Sequence, residues 1–470
     1  MADTPKRVGL DLTQGNIFRQ LMIFVLPLLL ANIVQQLYNT VDMVVIGQYV
    51  GSAGSTGVST GGEIATLVTF IATSFGSAGQ IYVAQLYGAK DHRSISETLS
   101  TSMVFVTVMS FLMTVVCILF CDPMLRWLNC PAEAFSQARS YMIIASLGLP
   151  FIFGYNMVCG ILRGMGEAKR PLLFVTVAAA ANVVMDVLLV AVIPLEAAGT
   201  AIATVVAQFA SFLASFIYLY RRREQFGLKF NRDSLKIHRR HLNILLRLGI
   251  PLTAQTALIH CTQIICTRQV NLYGLVASNT NSIGNRIQKL VNIFASSITQ
   301  GSGAMIGQNI GAQKYDRVKQ IVRTTILTAG IFAVTACLVA VFLPEAAFGL
   351  FIKRDDPNFQ SIVELGAVYM HINIIVFLIS PFQGTYQAVV TGSGNAKLAM
   401  LAGLLDGIIL RLGISFLLAY GFQMGVEGFF WGNALARFGP LIVGAVYYFS
   451  GRWKTFQLLK EDERAHVPRR

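Results

Sequence analysis

Long apolar runs, broken by short polar segments, dominate the chain. A helix needs about 20 mainly apolar residues to cross the hydrocarbon. Runs of that kind centre on residues 24–45, 64–83, 104–120, 141–159, 172–193 and 201–220. Six more centre on residues 248–270, 290–307, 326–343, 368–390, 398–420 and 429–449. The pattern predicts an all-α polytopic membrane protein with 12 transmembrane helices.

Composition fits that reading. Of 470 residues, 54% are apolar types and only 13% are charged. Soluble domains carry about 25% charged residues, so the soluble and disordered classes are excluded. The net charge of +14 could suggest nucleic acid, but its distribution argues for topology. If the first span leaves the cytoplasm, 28 of the 37 Lys and Arg fall on the cytoplasmic side and 4 on the other. Such asymmetry is the positive-inside pattern, and it predicts both termini in the cytoplasm. The basic charge then faces anionic lipid headgroups, and nucleic acid is not an expected partner. The polar opening MADTPKRVGLDLTQGN predicts no cleaved signal peptide. The seven cysteines form no CxxC pair and read as buried thiols.

The chain also repeats itself. Gln85-Leu-Tyr-Gly88-Ala89-Lys90 returns as Gln308-Asn-Ile-Gly311-Ala312-Gln313. Gly164-Met-Gly166-Glu-Ala168-Lys169 returns as Gly392-Ser-Gly394-Asn-Ala396-Lys397. Leu26-Pro27-Leu28 returns as Ile250-Pro251-Leu252. Six spans per repeat bring the chain back to its starting side, so the repeat is parallel. The expected organisation is a bundle over 1–220, a basic cytoplasmic linker over 221–243, a second bundle over 244–450 and a cytoplasmic tail over 451–470.

Charges inside spans are expensive and mark candidate sites. Asp42 and Asp186 lie within spans of the first half, and the second half has apolar residues aligned with Asp42. Gln35 lies two turns before Asp42, and Asn182 one turn before Asp186, each on the same helix face. With Thr204 they form a candidate cation-coupling cluster. In a low dielectric the paired carboxylates would take up a proton or Na⁺. The alternative is that each aspartate is neutralised by its own Asn, Thr or helix cap. Tyr38, Asn156, Met157, Arg286, Lys289, His260, His371 and Arg411 are candidates for the substrate cavity. His260 and His371 are candidates for proton relay or for ordinary interhelical hydrogen bonds. Arg286 and Lys289 either face a cleft or snorkel outward. Arg411 can pair with Asp406. No GxxxxGK[ST], HExxH or GxSxG motif is present, so neither ATP-driven transport nor an enzyme is expected, and no cofactor is implied.

The parallel six-plus-six repeat, the segment PLLLANIVQQLYNTVDMVVIG, the paired loops RGMGEAK and TGSGNAK, and QLYGAKD with QNIGAQK resemble the multidrug and toxic compound extrusion transporters. The resemblance spans almost the whole chain. It implies two six-helix bundles around a cleft that opens alternately to either face. It also implies export of amphipathic, mostly cationic small molecules in exchange for H⁺ or Na⁺. One branch of that family places its coupling site in the first bundle, and Asp42, Asn182 and Asp186 match those positions, with Gln35 and Thr204 beside them. The glutamate that another branch carries in the seventh helix has no counterpart in residues 258–268. A bacterial inner-membrane location and a monomer are the accompanying expectations. The wider superfamily includes lipid-linked oligosaccharide flippases. A flippase for an anionic lipid-linked substrate is therefore the alternative, motivated by Arg268, Arg286, Lys289 and Arg411.

Overall fold

The structure is a computed structural model, and it describes residues 9–225, 236–352, 357–455 and 458. The basic residues Lys6, Arg7, Lys229, Arg232, Lys353, Arg354, Lys460, Arg464, Arg469 and Arg470 lie outside the described residues. So do the middle of the 221–243 linker and most of the 451–470 tail.

Among the described residues every regular element is helical. The first half contains α1 (Ile17–Tyr49), α2 (Gly51–Gly88), α3 (His92–Leu119), α4 (Cys121–Trp127), α5 (Ala132–Leu147), α6 (Leu149–Gly164), α7 (Lys169–Asp186) and α8 (Glu196–Arg221). The second contains α9 (Arg239–Asn271), α10 (Leu275–Gly311), α11 (Tyr315–Phe342), α12 (Pro344–Gly349), α13 (Phe359–Ser393), α14 (Ala396–Leu404), α15 (Val426–Ala436) and α16 (Phe438–Phe449). Wider π turns continue α7 over Val187–Val192 and α14 over Leu405–Ile414.

Among the described residues ten helices, some of them continued by π turns, are long and apolar enough to span a membrane. The pair α5 and α6, bent by 46° at Gly148, makes an eleventh. The remaining expected span falls on α10. Its 37 residues are more than long enough, but Asn, Thr, Ser and Gln together with Arg286 and Lys289 dilute its apolar character.

Helix α3 shows how these sequences choose their faces. Val108, Phe111, Leu112, Val115 and Leu119 recur at helical spacing and are exposed. The opposite face buries Ser94, Thr98, Thr101, Ser102, Ser110 and Thr114. In water this arrangement would be inverted; in lipid, apolar side chains belong outside and small polar ones mediate close helix packing. Thr114 Oγ1 accordingly donates to Ser146 O on α5 at 3.0 Å. At the start of α3, Asp91 accepts from Ser94 N at 3.0 Å and from Ser94 Oγ at 2.7 Å, a side-chain N-cap.

The chain divides into two compact units. The first is built mainly on Leu26–Ile250, the second on Thr13–Val25 and Pro251–Glu461. The divisions fall inside α1 and α9, close to the interior prolines Pro27 and Pro251. In the first unit the buried His241, near the start of α9, ties that helix to α2 and α3. Its Nδ1 lies 2.9 Å from Tyr82 OH and 3.2 Å from Thr98 Oγ1, and its Nε2 lies 3.0 Å from Glu97 Oε2.

The sequence repeat is also a repeat of geometry. Lys90 and Gln313 close their matched loops with φ of 60° and 58°. Gly166 and Gly394 take φ of 82° and 88°. A Cβ on Gly164 would stand 2.7 Å from Gln80 O of α2, and one on Gly392 would stand 3.0 Å from Gly303 O of α10. The same close approach of backbones therefore joins α6 to α2 and α13 to α10.

Candidate functional site

Asp42 lies on α1 and Asp186 is the last residue of α7, both in the first unit. Asp186 and Asn182 are fully buried, and Asp42 is half-buried. The two carboxyl groups are neighbours that interact directly. Asp42 Oδ1, both oxygens of Asp186 and Asn182 Oδ1 are buried without a hydrogen-bond partner. Buried acceptors are normally satisfied. Two carboxylates cannot satisfy one another unless a proton or a cation sits between them. The π turn that begins after Asp186 belongs to a class of irregularity often found at functional sites.

Tyr141 of α5 interacts with both aspartates. The sequence reading missed it, because it stands at the edge of an apolar run with no carboxylate at helical spacing to draw attention. Tyr38 adjoins Asp42 one turn earlier on α1 and is joined to Gln35. Thr204 is half-buried on α8, which packs along α7. Neither oxygen of Asp186 accepts from a neighbouring Asn, Thr or cap, and Oδ1 of Asp42 does not either. The nearby amide oxygen of Asn182 is itself without a donor.

The candidates for a cavity part company. Asn156 is half-buried and donates to Ile152 O of its own helix at 2.8 Å. Met157 is fully buried, and a Cβ on Gly79 of α2 would stand 2.9 Å from its sulfur, so it fills a helix contact rather than lining an open space. In the second unit Arg286, Lys289 and His371 are exposed, and His260 is half-buried near Lys289 and Arg411. Arg411 is buried and pairs with Asp406, Nη2 to Oδ1 at 2.6 Å and Nε to Oδ1 at 3.2 Å, and it also donates to Asn433 Oδ1. The acid–base pairing expected there is present.

Comparison with known proteins places this architecture. The family model described as MatE matches residues 27–188 and again 251–432, once in each half of the repeat. The chain belongs to the MatE family. The double match follows the internal repeat already visible in the loops. MatE relatives include the probable multidrug resistance protein YoeA of Bacillus subtilis, 26% identical over 455 residues, covering 95% of this chain and 96% of YoeA. The multidrug export protein MepA of Staphylococcus aureus is 20% identical over 422 residues, covering 90% of this chain and 91% of MepA. Among solved structures, a MATE transporter in complex with MaL6 superposes with a TM-score of 0.86 at 18% identity, covering 97% of this chain and all of the other. The VcmN transporter of Vibrio cholerae gives 0.81 at 20% identity, covering 94% of this chain and 98% of VcmN. This MatE protein is a multi-pass membrane transporter and not an enzyme.

Proposed function

We propose that this transporter exports amphipathic, mainly cationic small molecules in exchange for H⁺ or Na⁺ by alternating access, with Asp42 and Asp186 as the coupling site. The observation that carries the reading is the pair of adjacent carboxyl groups whose buried oxygens find no donor. The naming of YoeA as a probable multidrug resistance protein and of MepA as a multidrug export protein supports it. Asn182, Thr204, Gln35 and Tyr38 shape the site around the aspartates, and Tyr141 joins them. Substrate enters from the cytoplasm. Ion binding at the aspartates in the outward-open state weakens substrate binding and favours release outside. Coupling of this kind needs the ion to bind the two states with different affinity. The coupling ion is the only accessory, and no cofactor takes part.

In this account the bundles 1–220 and 244–450 are the moving bodies, with residues 221–243 as linker and 451–470 as tail. The protein sits as a monomer in a bacterial inner membrane with both termini in the cytoplasm. Accumulation of ethidium in an efflux-deficient bacterium tests the export. Expression of the wild type should lower steady-state dye, and collapse of the ion gradients should restore it. Unchanged dye in cells with confirmed membrane expression would overturn the proposal.

An anionic, lipid-linked substrate is the second reading. Exposure of Arg286 and Lys289 on α10 favours it. The engagement of Arg411 by Asp406 takes one basic residue out of that argument.

A further inference from the structure

The two halves can be registered more finely beyond their third matched loop. A Cβ on Gly199 would stand 2.6 Å from Leu189 O, and a Cβ on Gly428 would press on the Leu418–Ala419 peptide, 2.8 Å from Leu418 C and closer still to Ala419 N. Gly199 and Gly428 are 229 residues apart, as are Leu189 and Leu418. Glu196 and Gly425, separated by the same interval, both take positive φ, 52° and 59°. Applied one helix earlier and one turn later, this register sets Arg411 against Asn182 and Asn433 against Thr204. Arg411 and Asn433 are hydrogen-bonded in the structure. The place where the first half keeps an amide and a hydroxyl near a carboxylate therefore holds a guanidinium in the second half.

The charge there does not balance. Asp406 and Arg411 are 1% and 2% exposed and satisfy one another. A second guanidinium, Arg437, lies within electrostatic reach of Asp406, Arg411 and Tyr369. Its Nε is buried and makes no hydrogen bond. His260 stands near Arg411 and Lys289 and adds no negative charge. Two arginines thus face one carboxylate. Hydrogen bonding is unbalanced in the same sense: the hydroxyls of Tyr369 and Ser415, both fully buried, have no partner. Arg437 is half-buried, and a guanidinium partly withdrawn from solvent without a matching carboxylate is costly in a low dielectric.

The backbone is irregular at the same place. Asp406 and Arg411 lie on the π turn Leu405–Ile414. Arg437 stands at the break between α15 and α16, where its N–H and its carbonyl make only 3.4 Å contacts, with Ala434 O and Leu441 N. Discontinuous membrane helices commonly border ion and substrate sites.

We propose that the second unit binds a compact monoanion, with halide or carboxylate chemistry, between Arg411, Arg437 and the Tyr369 hydroxyl. Arg437 supplies the unneutralised charge, and Tyr369 donates a hydrogen bond. Arg411, oriented by Asp406 and Asn433, forms the opposite wall. Two sources carry this chemistry, free chloride and the carboxylate of a zwitterionic substrate. The site does not depend on the coupling role assigned to Asp42 and Asp186.

Equilibrium binding of radiolabelled chloride, and separately of radiolabelled acetate, to the purified full-length chain in detergent tests it, with sulfate holding the ionic strength. The expected result is saturable binding that Arg437→Gln abolishes and Tyr369→Phe weakens about tenfold, as loss of one hydrogen bond to a charged group predicts. Chloride binding displaced by acetate identifies a site open to the free ion. Acetate binding without chloride binding, lost in the same variants, identifies the carboxylate source. Failure of both anions to bind saturably overturns the proposal, as does binding that survives Arg437→Gln. If Arg437→Gln does not remain monodisperse, Tyr369→Phe decides alone, since it removes one oxygen from a buried ring; an unchanged affinity overturns the proposal.

Discussion

Arg411 Nη2 lies 2.6 Å from Asp406 Oδ1 within the second unit, whereas Asp186 in the first is equally buried and has no donor on either oxygen. One half pairs its buried acid with an internal cation, and in the other the buried oxygens of Asp186 have no such partner. Removing one partner of a buried ion pair costs about 3–5 kcal/mol, because the other is left uncompensated. Asp406→Ala should therefore lower the thermal unfolding midpoint sharply. Asp186→Asn, which removes an uncompensated charge, should leave it unchanged or raise it. Unfolding of both variants, followed by loss of the monodisperse peak on heating, reads this contrast.

Glycine positions separate contact from slack. A Cβ on Gly160 would clash with the Gly76 carbonyl of α2, and one on Gly164 would press on Gln80 O. Gly330 of α11 has open space around it. Gly160→Ala should prevent folding or force α6 away from α2. Gly330→Ala should stabilise by up to about 1 kcal/mol from helix propensity. Expression level and melting of the two variants check this.

His241 makes three side-chain contacts at the entry to α9. Replacing it by Phe keeps a ring but leaves the Tyr82 and Thr98 hydroxyls and Glu97 without it, at a cost of about 1–3 kcal/mol. Amide hydrogen exchange over residues 239–245 should accelerate in His241→Phe while exchange in α13 stays unchanged.

Asp91 gives a pH dependence outside the spans. Partial burial raises its carboxyl, but the two Ser94 hydrogen bonds and the nearby Arg240 outweigh this and hold it below the usual carboxylate value. A carboxyl whose folded value is depressed stabilises fully above its unfolded value, near pH 4, and loses that contribution as pH falls through the folded value. Asp91→Ala should cost about 1 kcal/mol near neutral pH. As pH falls below the unfolded value near 4 and through the lower folded value, the difference from wild type should shrink.

Much of this was legible in the sequence for identifiable reasons. Hydrocarbon thickness imposes a length on apolar runs, so all twelve expected spans coincide with a helix or a broken pair. Membrane burial makes an idle carboxylate expensive, so Asp42, Asn182 and Asp186 stood out and lie together. Matched loops revealed the repeat because positive φ restricts their residues. Tyr141 did not stand out, since aromatic residues are common in spans and only tertiary packing brings it to the aspartates. Met157 looked like a cavity residue because a flexible apolar side chain reads alike in a contact and in a cavity. The divisions inside α1 and α9 and the π turns after Asp186 and around Arg411 left no periodicity to read.

The central claim is that Asp42 and Asp186 couple an ion to export. Inside-out membrane vesicles carrying the wild type, Asp42→Asn or Asp186→Asn test it, with ethidium uptake followed under an imposed pH gradient and then a Na⁺ gradient. The account predicts gradient-driven uptake by the wild type, loss of that uptake in both variants at equal membrane abundance, and retained dye binding. Full gradient-driven uptake by either variant would contradict it.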